Sequence, residues 1–171
     1  MMNLMIDAAR LMIFPTVMAF AASSDFFTMT ISNRISLILV AGFVVLAVGT
    51  GMPFAEMLNH AGAGGLVLAV TFTFFLCGWI GGGDAKLAAA TALWFGWPHL
   101  LDYLLYASLL GGVLTLALLE FRKFAMPSML VGKDWAERLH KPGGGVPYGI
   151  ALAVAALVIY PSTVWMQALH Q

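Results

Sequence analysis

Two aspartates stand out in this chain because of what surrounds them. Asp25 lies in "SSDFFTMTISNR" (residues 23–34) and Asp84 in "GWIGGGDAK" (residues 78–86), each a short polar interruption between apolar runs. A carboxylate and an ammonium are costly near lipid, and glycines weaken any helix they sit in, so folding alone does not account for "GGGDAK". Two carboxylates brought together in a poorly solvated place do not both ionise readily and can share one proton at near-neutral pH. The ionised member can then activate a water while the protonated member polarises a carbonyl, which is the arrangement of an aspartic protease.

Whether the two can meet depends on the elements that carry them. Of 171 residues, 61% are hydrophobic and only 9% are charged, which excludes a water-soluble globule and points to an integral membrane protein. Apolar stretches at roughly 8–23, 35–52, 64–80, 85–97, 100–119 and 147–166 predict six helices. The expected fold class is therefore all-α, a polytopic membrane protein with about six transmembrane helices in one domain over residues 1–171. The fourth stretch is short for a crossing, which a helix lining a protein cavity tolerates better than one facing lipid. The first run carries Asp7 and Arg10 and lacks a small-x-small cleavage pattern, so it reads as the first span rather than a cleaved signal peptide.

With six spans, Arg34, Lys86 and the five basic residues of segment 120–146 fall on one side, leaving Arg10 as the exception. The positive-inside tendency makes that side cytoplasmic and puts both termini outside. Both polar interruptions then lie at the cytoplasmic boundary, and Asp25 and Asp84 become candidates for one site.

An Asp after the first span followed by "TISNR", then Gly81-x-Gly83-Asp84 with Lys86 two residues on, and "VPYGIA" (residues 146–151) opening the last span form an ordered set. The set resembles the prepilin peptidases, with the closest similarity to the short Tad/Cpa-type members, and it spans nearly the whole chain. The resemblance implies an intramembrane aspartic endopeptidase of the bacterial inner (cytoplasmic) membrane. Its substrate would be a type IV (Flp-like) prepilin or pseudopilin precursor, whose short basic leader it removes at the cytoplasmic face. The family's catalytic aspartates match Asp25 and Asp84, and no cofactor or metal is implied. Longer members also N-methylate the trimmed pilin and carry paired CxxC motifs near the first Asp. This chain has one cysteine, Cys77, and only about ten residues between its first two spans, so methyltransferase activity is not expected.

Around the pair, Gly81, Gly82 and Gly83 would give an extended substrate chain a docking edge, or else let helices pack closely. Lys86 either holds a carboxylate ionised or snorkels as an anchor. Asn33 either supports the site or caps the second helix, and Asp25 and Asp84 could themselves serve as helix caps. Pro147, Tyr148 and Gly149 start the last helix, with Tyr148 at the interface. Cys77 and the eleven methionines read as packing material, and His60, His99, His140 and His170 show no metal-ligand spacing. Residues 120–146 mix basic and large apolar side chains and read as a cytoplasmic interfacial loop on anionic headgroups. The expected partners are the precursor and the lipid bilayer; zero net charge gives no steering toward nucleic acid.

Two other functions share these residues. A small proton- or cation-coupled carrier would use the same carboxylates. A structural assembly subunit would need neither. Serine-type proteolysis is disfavoured because the chain has no GxSx-type motif.

Overall fold

The computed structural model describes residues 2–168, and among them every regular element is a helix. In chain order these are α1 (Met2–Thr28), α2 (Asn33–Gly49), α3 (Phe54–Leu76), α4 (Gly82–Phe121), α5 (Asp134–His140), α6 (Tyr148–Ile159) and α7 (Val164–Gln167). Short 3-10 turns occupy Ser128–Leu130 and Tyr160–Ser162. Leu4–Thr28, Phe54–Leu76 and Gly82–Phe121 are long and apolar enough to cross a membrane, and Asn33–Gly49 and Tyr148–Ser162 are shorter apolar helices. Large apolar side chains such as Leu37, Val45, Leu101, Leu109, Val113 and Leu116 are exposed along these helices, as lipid-facing surface requires. The protein is an all-α membrane protein.

The fourth and fifth apolar runs form one 40-residue helical element, broken at Gly96 (φ 60°, ψ −169°). Only glycine adopts that backbone without strain, and Pro98 then falls in the first turn of the second arm, where its missing N–H costs nothing. The arm 97–121 turns back along the arm 82–95, so that Tyr103 packs edge-on against Phe95 with ring centroids 5.2 Å apart. The break deprives the last carbonyls of the first arm of helical partners: Leu93 loses the amide of Trp97, and Trp94 faces Pro98, which has none. Side chains replace them. His60 Nδ1 donates to the Leu93 carbonyl at 2.8 Å, and Trp165 Nε1 donates to the Trp94 carbonyl at 2.8 Å.

These partners belong to a dense aromatic cluster at one end of the bundle. Phe14 stacks on Tyr160 at 4.5 Å and lies 5.0 Å from Trp94, and Trp94 lies 5.2 Å from Trp165. Trp94 Nε1 donates to the Leu39 carbonyl at 2.9 Å, tying α2 to α4. The opposite end collects the end of α1, the start of α2, the start of α4 and the start of α6. Arg122 bonds the Leu139, Gly144 and Gly145 carbonyls there, and Trp135 of α5 packs on Phe26 and Phe27 of α1.

Several boundaries differ from the sequence expectation, α3 among them, which begins at Phe54 rather than near residue 64. α1 continues to Thr28 rather than ending near residue 23, which makes Asp25 part of its last turn. The last apolar run divides at Pro161 into α6, a 3-10 turn and α7. His60 is buried within α3. His170 lies outside the described residues.

Candidate active site

Asp25 reaches the interior because α1 carries it past the polar Ser23–Ser24 step and turns it toward α6. It is 4% exposed, and its Oδ2 accepts the Gly149 amide at 2.7 Å. That amide is unpaired by α6 itself, since it belongs to the first turn of the helix. Asp84 sits in the first turn of α4, where the helix end favours a carboxylate. It lies near Gly81 and Gly149 and within electrostatic reach of Asp25, and of the two carboxylates Asp25 is the one that bonds the Gly149 amide. The start of α6 thus lies beside two carboxylates from distant parts of the chain. Asp84 Oδ1 is buried and has no hydrogen-bond partner among the described residues.

Glycine at position 149 is what permits the approach. A Cβ there would lie 2.8 Å from Asp25 Oδ2 and 2.5 Å from Ile31 Cδ1. Ile31, in the α1–α2 connector, fills the space between α4 and α6: a Cβ at Gly83 would meet Ile31 Cβ at 2.9 Å and its carbonyl oxygen at 3.0 Å. A Cβ at Gly81 would lie 2.8 Å from Asp84 Oδ2, whereas one at Gly82 would meet only the Phe75 ring, at 3.2 Å. A side chain at Gly81 or Gly83 would therefore press on the Asp84 carboxyl or on the connector, although Gly81 itself is exposed. The connector is also held by Ser24 Oγ, which donates to the Thr30 carbonyl at 2.9 Å, and it turns through Met29 at φ 52°.

The capping roles considered from the sequence fall to other residues. Ser32 caps α2, its Oγ accepting the Arg34 amide at 3.4 Å, and Asn33 is the first residue of that helix. Gly81 occupies the N-cap position of α4, and Asp84 lies three residues inside. Lys86 turns away from the carboxylates and donates to Asn33 Oδ1 at 2.8 Å. This contact ties the start of α2 to the start of α4 at the mouth of an apolar groove of about 510 Å³ between α2, α3 and α4. Cys77 is exposed at the end of α3 rather than packed inside. Among the described residues no group of three or more His, Cys, Asp or Glu side chains could hold a metal ion.

Tyr148 is drawn inward from the interfacial position expected of it. Its hydroxyl donates to the Ala107 carbonyl at 3.2 Å, and its ring occupies the space that a side chain at Gly111 would need. It lies within electrostatic reach of Asp84. Ile31 and Tyr103, which border the site, carry no signal in the sequence, since each is one more apolar or aromatic residue in an apolar surrounding. Gly149 was legible only as part of "VPYGIA", without its partner.

The arrangement offers a buried and a partly buried carboxylate near the start of α6 at one end of a membrane bundle, next to a half-buried tyrosine. The type IV leader peptidase family matches residues 12–116, well over half of the chain and inclusive of both aspartates. No curated protein and no solved structure gives a match. The chain belongs to the type IV leader peptidase family and is a membrane peptidase of that kind.

Proposed function

We propose that this protein is an intramembrane aspartic endopeptidase that removes the leader of a type IV, Flp-like prepilin or pseudopilin precursor, with Asp25 and Asp84 as its catalytic pair. The observation that carries this reading is the gathering of both carboxylates beside the start of α6, Asp25 on the Gly149 amide and Asp84 within electrostatic reach of Asp25. In the reaction, the ionised carboxylate takes a proton from a water held between the pair while the protonated one donates to the scissile carbonyl. The water oxygen adds to the carbonyl carbon. The peptide C–N bond then breaks as the nitrogen takes up a proton from the pair, releasing a carboxylic acid and an amine. Gly81, Gly83 and Gly149 support the geometry by letting backbone approach the carboxylates, and Lys86 with Asn33 fastens the connector that carries Ile31. The chain supplies no cysteine cluster for the methyl-transfer reaction.

In the membrane we place the chain in the bacterial inner membrane, the two arms of α4 each crossing once, as a single domain with the segment 120–146 at the cytoplasmic interface. Supporting this, Arg34, Lys86, Arg122, Lys123, Lys133, Arg138 and Lys141 gather at the end of the bundle that holds Asp25 and Asp84, while Arg10 lies at the other.

The test is co-expression with a tagged Flp-type prepilin precursor, read by gel shift and by N-terminal sequencing of the product. Cleavage by the native chain is expected, and an intact precursor beside well-inserted protein refutes the substrate assignment. Single cysteines at Ser24 or Gly82 in a Cys77→Ala background should react with an impermeant thiol reagent only from the cytoplasm. Labelling from the outer face overturns the orientation and favours an alternating-access carrier.

A further inference from the structure

The apolar groove of about 510 Å³ runs between α2 and α3, each of which packs on α4, and α4 forms its floor. Each helix turns one stripe toward it, residues 33–40 of α2, 61–68 of α3 and 86–93 of α4, at the spacing of a single helix face. The lining is graded along its length. At the end of the bundle that holds the aspartates stand Lys86 and Asn33, one turn deeper stands Ser36, and beyond them the walls are apolar as far as Val40 and Leu93. Seven residues of helix measure about 10 Å, roughly two-thirds of the hydrocarbon depth of one leaflet. None of the described residues that line the groove is acidic, and Asp84 lies about 200° around α4 from Lys86.

Two features of the polar end call for a ligand. Lys86 is exposed and gives one of its three N–H groups to Asn33 Oδ1, and the Asn33 amide has two donors of its own. Ser36 is 8% exposed, and its Oγ has no hydrogen-bond partner among the described residues. A hydroxyl left so inside a membrane is costly, and alanine would fill the same space without that cost. On α3, a Cβ at Gly65 would meet nothing within 4 Å, so the groove is open there, whereas one at Gly64 would press on Leu93 and on the Ala89 carbonyl.

We propose that this groove binds one anionic phospholipid from the leaflet on the aspartate side, with its phosphate at Lys86 and Asn33, an ester carbonyl at the Ser36 hydroxyl and an acyl chain along Leu37, Val40, Gly65 and Leu93. The sequence of groups down the groove is ammonium and amide, then hydroxyl, then apolar wall. It answers the phosphate, ester and alkyl chain of a glycerophospholipid in the same order. The serine hydroxyl turns about χ1 to meet an acceptor brought to its wall. A membrane-spanning helix matches less well, since only about a third of its 30 Å apolar length would find cover here. The bound lipid joins α2 to α3, which otherwise meet chiefly through α4. The site makes no use of the peptidase reading, so either can fail without the other.

The test uses the purified full chain in a neutral detergent, with phosphatidylglycerol and phosphatidylcholine of equal chain length as probes and native mass spectrometry to count the lipids retained. One phosphatidylglycerol should be held per chain, about fivefold more tightly than phosphatidylcholine, the scale of one basic side chain against an anionic headgroup. It should also raise the melting temperature, as a ligand of the native state does. Lys86→Gln should erase the preference between the two lipids, and Ser36→Ala should weaken retention of both. Gly65→Phe puts a ring into the open space and should abolish retention. Gly112→Phe, at an exposed glycine of the second arm of α4 where a Cβ likewise meets nothing, should leave it intact. If Gly65→Phe does not insert, Val40→Trp on the exposed wall of α2 takes its place. Equal retention of the two lipids by the native chain, or unchanged retention in the groove-filling variant, overturns the proposal. So does a photo-crosslinker at Val40 that captures the tagged precursor in cells and no lipid, because the groove then belongs to the substrate.

Discussion

The two ends of this bundle are built to opposite specifications. At the Trp94 end, backbone carbonyls are answered by ring N–H groups: His60 serves the Leu93 carbonyl, Trp165 serves that of Trp94, and Trp94 itself serves that of Leu39. Large rings fill the space between, and Trp94, Trp165, Phe14 and Phe95 are essentially inaccessible. At the Asp25 end the contacts are made by residues without side chains, Gly81, Gly83 and Gly149, and Asp84 Oδ1 is without a partner among the described residues, as Arg10 Nε is at the other end. A membrane helix gains nothing from expelling apolar groups from lipid, so stability comes from packing and satisfied polar groups, which the aromatic end concentrates. The aspartate end gives up part of that stability to hold two carboxylates together. Real proteins break local rules where they do chemistry, and the proposed function puts that chemistry at the end where glycines and carboxylates replace rings.

The comparison breaks most visibly at the carboxylates. Asp25→Asn and Asp84→Asn should each lower precursor cleavage by at least about 10²- to 10⁴-fold, the range for acid/base assistance, with the helical circular dichroism and membrane insertion of the native chain retained. Near-normal processing by either well-folded variant would remove the assignment.

Next in size is the glycine approach. Gly149→Ala places a Cβ 2.8 Å from Asp25 Oδ2 and 2.5 Å from Ile31, and Gly83→Val meets the Ile31 backbone, so both should lose most cleavage. Gly82→Val meets only the edge of the Phe75 ring and should keep far more activity. Comparable loss at Gly82 and Gly83 in a gel-shift time course would mean that the distinction between inward and outward glycines is not the one that matters.

At the aromatic end the sign of the outcome reverses. His60→Ala strands the Leu93 carbonyl and should cost about 1–3 kcal/mol, seen as a lower melting temperature in detergent, with cleavage retained below the transition. A cleavage defect without a stability defect would show that the two ends are not separable.

The smallest effect is expected at the Lys86–Asn33 contact, which is exposed. Asn33→Ala should change stability by no more than about 1 kcal/mol and activity only a fewfold, through a looser connector. A loss approaching that of the aspartate variants would promote this pair to the chemistry itself.

What the sequence by itself determined is what short-range patterns can encode. The excess of apolar residues dictated a membrane protein, the polar interruptions set the spacing of the helices, and the ordered motifs around Asp25, Asp84 and residues 146–151 pointed to the family. The break at Gly96 falls close to the gap between the expected runs 85–97 and 100–119, where Pro98 stands, though the sequence expectation carried the first run past Gly96. Rotation of each helix was not encoded in the same way. These helices are apolar on all sides, so hydrophobic periodicity does not say which face turns inward. Only the packed bundle decided that Gly149 lies against Asp25, that Ile31 fills the gap beside Gly83, and that Lys86 points to Asn33. Each of these contacts joins elements far apart in the chain. Each depends on a cross-helix fit of a fraction of an ångström, and no local pattern of residue types carries that information.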